Sequence, residues 1–299
     1  MTGGRRVGWL LLAVPFALAA LPFLRAWDYG LVNFDDFAYL VDHAEVRAWS
    51  GLASLKWCLT DTSEGIWMPL TYLTYMLDLA LGWGYGGMHV QSILWHAASA
   101  VMLYLLLRKL FGNGTVAVLA ALVWSVHPLR VESVVWIASR KDVVSAFFLI
   151  SALYAWVRGG RKGLVAAFAL VVVGAMAKPS VMVFAPFAFG IDWFVTGERK
   201  DRNVYVGAFA LAGLIAVEAS WAQGQGADAT AIPSLIPLWF KLLNALASVT
   251  VYLGNFIWPD GLGIQFMIRY PDLPRFSIPG AAVLLAVSGW FASVFLRRF

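Results

Sequence analysis

The sequence predicts an all-α protein: a polytopic transmembrane helix bundle of about eight spans, with short interfacial helices in its extracytoplasmic loops. Of the 299 residues, 61% are hydrophobic and only 13% are charged, whereas a soluble domain carries about 25% charged residues. Apolar runs that could cross a bilayer, some with help from less apolar flanks, lie at 7–26, 88–107, 114–126, 143–157, 164–177, 180–195, 204–221 and 278–296.

The distribution of basic residues predicts the orientation. Both termini and every second connection between apolar runs are basic, so that one side carries twelve Lys and Arg against three acidic residues. The rest of the chain holds ten basic and fourteen acidic residues. The positive-inside rule therefore places the N-terminus in the cytoplasm. Arg5 and Arg6 precede the first run as in a signal peptide, but 7–24 is long enough to remain as an uncleaved first helix.

The chain is predicted to form a single transmembrane domain over 1–299, with long extracytoplasmic loops at 27–87 and 222–277. Residues 238–256 are apolar enough to span, but a span there would place Arg297 outside. We therefore expect an interfacial or re-entrant helix on the outer face. Because the chain stops just after an apolar run, we also expect it to be a partial chain.

Composition and motif content exclude several functional classes. The net charge of +5 is divided among short loops, so it follows membrane topology and does not indicate nucleic-acid binding. The single cysteine, Cys58, excludes an internal disulfide. The sequence contains no glycine-rich nucleotide loop and no Gly-x-Ser-x-Gly motif, so nucleotide hydrolysis and serine chemistry lack support.

The adjacent pair Asp35 and Asp36, just after the first span, is the first candidate for chemistry. A carboxylate at the bilayer surface can remove a proton from an incoming hydroxyl, and repulsion with partial burial would raise at least one pKa. Aspartate is also common in solvated turns and helix caps. The aromatic neighbours Phe34, Phe37 and Tyr39 argue against a plain solvated loop, and both interpretations stay open.

The polar segment 127–142, at the outer end of the third span, is the second candidate. Glu132 lies near His127, and Arg140 and Lys141 precede the fourth span. A charge at membrane depth normally has a partner or a ligand, although basic residues at helix ends also snorkel to the interface. Snorkelling would explain Arg140 and Lys141 but not Glu132.

Lys178 occupies one of the tightest outer turns, Ala-Lys-Pro-Ser at 177–180. Pro179 can start the next helix, and a lysine beside a helix N-terminus suits a phosphate. A simple topological anchor is the alternative. Lys241 adds a cation in the last outer loop, where a surface charge is the simpler interpretation.

A metal site is a further hypothesis. The four histidines show no zinc spacing, and no established ligand pattern occurs. A divalent ion could nevertheless be held by His127 and Glu132 together with Asp35 or Asp36, with Asp36, His127 and Glu132 as the candidate set. No other cofactor is predicted.

An ordered series of motifs carries a family resemblance. It consists of Asn-Phe-Asp-Asp-Phe-Ala-Tyr at 33–39, Trp-Met-Pro-Leu-Thr-Tyr-Leu-Thr-Tyr at 67–75, His-Pro-Leu-Arg-Val-Glu-Ser-Val-Val-Trp-Ile-Ala-Ser-Arg-Lys-Asp at 127–142, Ala-Lys-Pro-Ser at 177–180 and Tyr-Leu-Gly-Asn-Phe-Ile-Trp-Pro at 252–259. The series resembles the membrane-embedded GT-C glycosyltransferases, most closely the transmembrane and tetratricopeptide-repeat family of O-mannosyltransferases and its bacterial relatives. No tetratricopeptide repeats follow, and the family's last spans are not found before Phe299.

The resemblance implies an inverting glycosyltransferase of a bacterial inner membrane. It would move a monosaccharide, mannose by resemblance, from a polyprenyl-phosphate donor to a hydroxyl of a protein Ser/Thr or a glycan, at the extracytoplasmic face. Asp35 or Asp36 would be the base, and Glu132 would support the site or orient the acceptor. The donor phosphate would be held by Arg140, Lys178 and Lys141. Acceptor-side or supporting positions would be His127, Arg130, Tyr39, Trp67 and Lys241.

Two other functional classes stay open. A lipid or sugar-lipid transporter would need polar residues near the bilayer midplane, for which His96 and Glu218 are the candidates. A non-catalytic membrane subunit could use the same phosphate site without needing Asp35 and Asp36. The sugar, the acceptor and the oligomeric state are not determined by the sequence.

Overall fold

The computed structural model describes residues 3–226, 237–260, 262 and 273–297, and all regular structure among them is helical. The predicted all-α class is therefore confirmed. In chain order the helices are α1 (Gly3–Ala20), α2 (Ala44–Arg47), α3 (Leu52–Thr60), α4 (Pro69–Ala80), α5 (Gly84–Phe111), α6 (Gly114–Val126), α7 (Arg130–Val135), α8 (Arg140–Arg158), α9 (Gly160–Ala175), α10 (Phe184–Gly190), α11 (Arg202–Gln225), α12 (Leu238–Ile257) and α13 (Leu273–Arg297).

Short 3₁₀ and π-helical turns extend or join several of these helices. The first apolar run changes from α1 to a 3₁₀ turn after Ala20, with Pro22 in the first turn of the new segment. Proline has no N–H to donate, so it fits a helix start better than a helix interior. The turns are Leu21–Asp28, Phe37–Val41, Ile137–Ser139, Pro179–Val183 and Ile191–Thr196.

Four helical segments of the described chain are long and apolar enough to cross a membrane. They are α5, the continuous segment Pro179–Thr196, α11 and α12; two shorter apolar helices lie at Gly114–Val126 and Arg275–Trp290. The protein is thus a multi-pass membrane protein, and the number of about eight spans stays a prediction. The interfacial or re-entrant placement of 238–256, now seen as α12, also stays a prediction.

The chain divides into two compact units, Met1–Ala229 and Thr230–Phe299. In the first unit, α5 is central and packs against α1, α6 and α8, while α8 packs against α9. In the second unit, α12 packs against α13, and the Thr250 hydroxyl donates to the Phe276 carbonyl at 2.6 Å. Whether 1–299 behaves as a single domain stays a prediction.

The turn between α5 and α6 shows how local sequence sets the helix ends. Gly112 has φ +72°, a left-handed conformation that favours glycine and ends α5. The Asn113 side chain then accepts from the backbone N–H groups of Thr115 and Val116 and caps α6. These two residues reverse the chain without a long loop.

Helix α4 ties the first long loop to two later segments. At its start, the Leu70 N–H donates to the Met176 carbonyl at 2.9 Å, and the Thr71 hydroxyl donates to the Ala177 carbonyl at 3.2 Å. Further along, the Tyr75 hydroxyl donates to the Ile137 carbonyl at 2.8 Å. Helix α4 therefore holds the segments around 137 and 177 on one framework.

Candidate active site

Asp36 fastens the first loop to the segment 127–142. Its carboxylate is wholly buried and accepts two backbone hydrogen bonds, from the Ala138 N–H at 2.7 Å and the Val32 N–H at 2.8 Å. Burial raises the pKa of Asp36, and these two hydrogen bonds oppose the rise. Both oxygens are thus engaged in shaping the loop, one of them across 102 residues of sequence.

Asp35 has the opposite environment. It is partly exposed, and within the described ranges no hydrogen bond is donated to its carboxylate. It lies close enough to Lys141 and Tyr39 for its charge to act on both. Of the two adjacent carboxylates, Asp35 is the one that a ligand could reach.

Lys141 is held over the Tyr39 ring. Its Nζ lies 4.5 Å from the ring centroid and donates to the Ala138 carbonyl at 2.9 Å and to the Tyr39 hydroxyl at 3.3 Å. Burial lowers the pKa of Lys141 to about 8, and Lys178 adds to this effect, while Asp142 opposes it. These contacts hold the ammonium in place, and it titrates at a lower pH than an ordinary lysine does.

Lys178, Asp142 and Glu132 complete this group. Lys178 precedes the 3₁₀ turn Pro179–Val183, as the sequence predicts, and its Nζ forms an ion pair with Asp142 Oδ1 in which both side chains are about one-third exposed. Glu132 lies on the exposed side of α7. Dehydration of its partly covered carboxylate and the charge of Asp142 raise the pKa of Glu132, while Lys178 and Lys141 oppose the rise.

These groups form one lysine–carboxylate cluster, which consists of Asp35, Glu132, Lys141, Asp142 and Lys178. Its members come from three separate segments of the first unit, and their charges act on one another. The two ammonium groups can bind a phosphate. The Asp35 carboxylate, to which no described group donates a hydrogen bond, can accept a proton. Asp142 was not singled out from the sequence, although it directly follows Lys141.

Arg140, expected from the sequence to bind a phosphate, is wholly enclosed by protein. Its Nη1 lies 2.6 Å from the carboxylate of Asp78 on α4, which is also wholly buried. The guanidinium lies 4.6 Å over the Tyr75 ring. All three of its nitrogens also donate to neighbours within α4 and α5, namely Ser92, Thr74, Gln91 and the Met88 carbonyl. This geometry favours a role in fixing α8 against α4 and α5.

His127 and Arg130 lie at the edge of the site. His127 follows α6, and its Nδ1 accepts from the Leu129 N–H at 3.2 Å. The Arg130 guanidinium lies 5.4 Å over the Trp124 ring, and the charge of Asp142 acts on it. Both residues support the bend between α6 and α7.

Trp67 and Lys241 are the remaining acceptor-side candidates from the sequence. The Trp67 Nε1 donates to the Leu59 carbonyl at 2.9 Å, so it braces the first loop. Lys241 is exposed on α12 in the second unit. Its assignment to the acceptor side stays a prediction.

The three residues considered for a divalent ion do not form a binding group. Among the residues that the structure describes, no set of three or more His, Cys, Asp and Glu side chains is arranged to hold a metal. The carboxylate of Asp36 is moreover engaged by two backbone N–H groups. The expected candidates for such a site were Asp36, His127 and Glu132.

Aromatic rings from the first long loop and α4 pack next to Tyr39. The Tyr39 and Tyr72 rings meet edge-on, with their centroids 6.4 Å apart. The centroids of the Trp57 and Tyr72 rings are 4.8 Å apart. His43 packs on Trp57 at 4.9 Å and lies 3.4 Å from the Glu64 carboxylate. The sequence of the loop 27–87 is rich in aromatic residues, but this composition does not indicate which rings contact one another.

The fold and the site together define a class of protein: a multi-pass helical membrane protein with an ionisable cluster formed by loop residues, by α7 and by the start of α8. The comparison with known families gives the particular family. The chain belongs to the dolichyl-phosphate-mannose-protein mannosyltransferase family, whose sequence model matches residues 69–221. The matched range includes Glu132, Lys141 and Lys178 and begins after Asp35 and Asp36.

Curated relatives agree with this family. Human protein O-mannosyl-transferase TMTC4 is 31% identical over 160 residues, which is 46% of this chain and 22% of the relative. Protein O-mannosyl-transferase F38B6.6 of Caenorhabditis elegans is 25% identical over 214 residues, or 68% and 30% of the two chains. Tmtc2 of Xenopus laevis is 34% identical over 96 residues, or 30% and 11%. The chain thus matches less than a third of the length of each of these relatives, and no solved structure matches it.

Proposed function

We propose that this protein is an inverting glycosyltransferase. It moves a mannosyl residue from a polyprenyl-phosphate donor to a hydroxyl acceptor, such as a protein Ser or Thr side chain, on the extracytoplasmic side of a bacterial inner membrane. Membership of a mannosyltransferase family and the names of its O-mannosyl-transferase relatives support the reaction class. The observation that carries the mechanism is the partly exposed Asp35 carboxylate, whose charge acts on the ammonium of Lys141.

The proposed reaction is a single displacement. Asp35 removes the proton of the acceptor hydroxyl as its oxygen bonds to the anomeric carbon, on the face opposite the phosphate. The bond from that carbon to the phosphate oxygen breaks, and the electron pair leaves with the polyprenyl phosphate. Because one displacement occurs, the anomeric configuration inverts. The leaving phosphate is already ionised, so it needs no general acid.

The two lysines stabilise the charge that develops on this phosphate. Lys178 pairs with Asp142, and an incoming phosphate would compete with Asp142 for the same ammonium. Lys141 is held at fixed distances from Tyr39 and the Ala138 carbonyl, so it needs little reorganisation. Glu132 lies at the exposed edge of the cluster, where it can orient the acceptor.

The direct test is transfer by the purified protein in nanodiscs. Radiolabelled polyprenyl phosphate mannose is supplied with solubilised membrane proteins as acceptors, and O-linked sugar is released by alkaline β-elimination. We expect label on Ser and Thr from the lipid donor and none from GDP-mannose supplied without the lipid. Release of free mannose alone, or labelling only from GDP-mannose, would contradict the proposal.

Substitution of Lys178 by methionine should raise the KM for the donor by about tenfold or more, because a charge-assisted hydrogen bond contributes about 1.5–3 kcal/mol. The effect should fall on donor binding and leave the acceptor KM unchanged. Lys178→Arg should retain most of the affinity. Lys56→Met, which removes an exposed lysine from α3, is the matched control. Equal effects of Lys178→Met and Lys56→Met on the donor KM would contradict the assignment.

Donor binding should weaken as the pH rises through about 8. The pKa of Lys141 is lowered to about 8, so its ammonium is charged below this pH and neutral above it. Affinity for polyprenyl phosphate, measured by inhibition of transfer from pH 6.5 to 9.5, should therefore decrease on the alkaline side. Lys141→Arg should abolish the decrease, because arginine stays charged. A decrease that persists unchanged in Lys141→Arg would assign it to another group.

A further inference from the structure

A cavity of about 630 Å³, largely open to its surroundings, lies where the π-helical turn Ile191–Thr196 meets α11. This size is within the range of small-molecule sites. Its wall combines cations with aromatic rings and contains no carboxylate; the residues that matter most are Phe189, Trp193, Arg199, Arg202, Tyr205 and Phe209. The cavity belongs to the first unit.

The position of this cavity places it at a membrane surface. It lies between the end of the candidate span Pro179–Thr196 and the start of the candidate span Arg202–Gln225, which are only a few residues apart. A short connection between two spans must lie at the water–lipid boundary in either orientation of the protein. Lys178 precedes the first of these spans, so the cavity and the lysine–carboxylate cluster are at opposite ends of it.

A buried acid fixes the cavity wall. Asp192 is buried and accepts hydrogen bonds from Lys200 Nζ at 2.8 and 2.9 Å, the Tyr205 hydroxyl at 2.8 Å and Trp156 Nε1 at 3.0 Å. The Asp192 carboxylate therefore neutralises the charge of Lys200. Three side chains, joined to one carboxylate by four hydrogen bonds, fix this part of the wall before any ligand binds.

Two guanidinium groups give the cavity its charge. Arg199 lies 3.9 Å over the Trp193 ring, which holds its plane in place. Arg202 is exposed, and among the described residues no hydrogen bond or ion pair engages its side chain. The neighbouring acids Glu198 and Asp201 are exposed and lie outside the cavity lining.

We propose that this cavity binds an anionic phospholipid of the surrounding bilayer. The phosphodiester lies against Arg199 and Arg202, and the upper part of an acyl chain lies along Phe189 and Phe209. Charge complementarity selects a lipid with net negative charge over a zwitterionic one, since each basic residue near such a surface contributes about 1 kcal/mol. A free phosphate would leave the aromatic half of the cavity unused. The inference does not depend on the proposed transferase activity.

Native mass spectrometry of the detergent-solubilised protein tests the proposal, with phosphatidylglycerol and phosphatidylcholine as the two probes. We expect phosphatidylglycerol to bind about tenfold more tightly, and the Arg199→Gln/Arg202→Gln variant to lose about this factor. The control is Arg161→Gln/Lys162→Gln, which removes the same charge from exposed positions of α9 outside the cavity.

Each outcome decides the proposal. Equal affinities for the two lipids, or equal losses in the cavity and control variants, would overturn it. Displacement of bound lipid by millimolar inorganic phosphate would show a site for a free anion instead. If the double variant does not fold, Arg202→Gln alone keeps the test, because this side chain is exposed at the start of α11; unchanged selectivity in that folded variant would also overturn the proposal.

Discussion

Replacement of Asp35 by asparagine should lower the transfer rate by about a thousandfold without lowering the stability of the fold. A positioned general base contributes about 10²- to 10⁴-fold, and asparagine keeps the size of the side chain but cannot accept the proton. The Asp35 carboxylate receives no hydrogen bond in the described chain, so little of the structure depends on it. The measurements are kcat at saturating donor and the unfolding temperature in detergent.

Asp42→Asn is the matched control, because Asp42 is an exposed carboxylate of the same loop. It should leave both kcat and stability unchanged. Asp36→Asn should differ from both variants: one amide N–H₂ would face a backbone N–H of Val32 or Ala138, so the loop should be destabilised. Full activity of Asp35→Asn, together with an inactive but stable Asp36→Asn, would transfer the role of base to Asp36.

The sequence was sufficient for the class of fold and for the segments that form the site. Long apolar runs and the placement of lysine and arginine follow from bilayer physics, which acts on composition and not on detailed packing. The motifs at 33–39, 127–142 and 177–180 also supplied members of the cluster. The number of spans is not determined in this way, because α8 carries charged residues at both ends and α9 has only 16 residues, fewer than the ~20 that a perpendicular span needs.

The distinct roles of neighbouring residues could not be predicted. Asp35 and Asp36 differ because two backbone N–H groups, one of them more than 100 residues away, reach only Asp36. Arg140 and Lys141 differ because successive residues of a helix point about 100° apart. One therefore enters the interior and the other faces Tyr39. Motif spacing identifies such pairs, but tertiary partners assign their roles.

Asp78 is a second residue whose role the sequence does not identify. It is a single acid among apolar residues of α4, and its sequence neighbourhood carries no motif that names a partner. Its importance becomes visible only when α4 packs near the start of α8 and the carboxylate meets Arg140. A buried charge in an apolar helix signals that a partner exists, but it does not identify that partner.

Substitution of Arg140 by methionine should destabilise the protein by about 3–5 kcal/mol, because it leaves the buried Asp78 carboxylate without its counter-charge. Asp78→Leu alone should cost a similar amount, since the Arg140 guanidinium would then be buried without it. The double variant Arg140→Met/Asp78→Leu should recover most of the loss, because no uncompensated charge remains. The measurement is unfolding in detergent for the four proteins of this double-mutant cycle, with Arg47→Met as an exposed control.

The same variants separate a structural role of Arg140 from phosphate binding. If Arg140 fixes α8 against α4 and α5, the stabilised double variant should bind polyprenyl phosphate with nearly normal affinity. If Arg140 contacts the donor, that variant should be stable but should lose donor affinity by about tenfold or more. The enclosed guanidinium, with protein partners on all three nitrogens, favours the first result. Donor recognition would then rest on Lys141 and Lys178, the cations of the cluster that remain partly exposed.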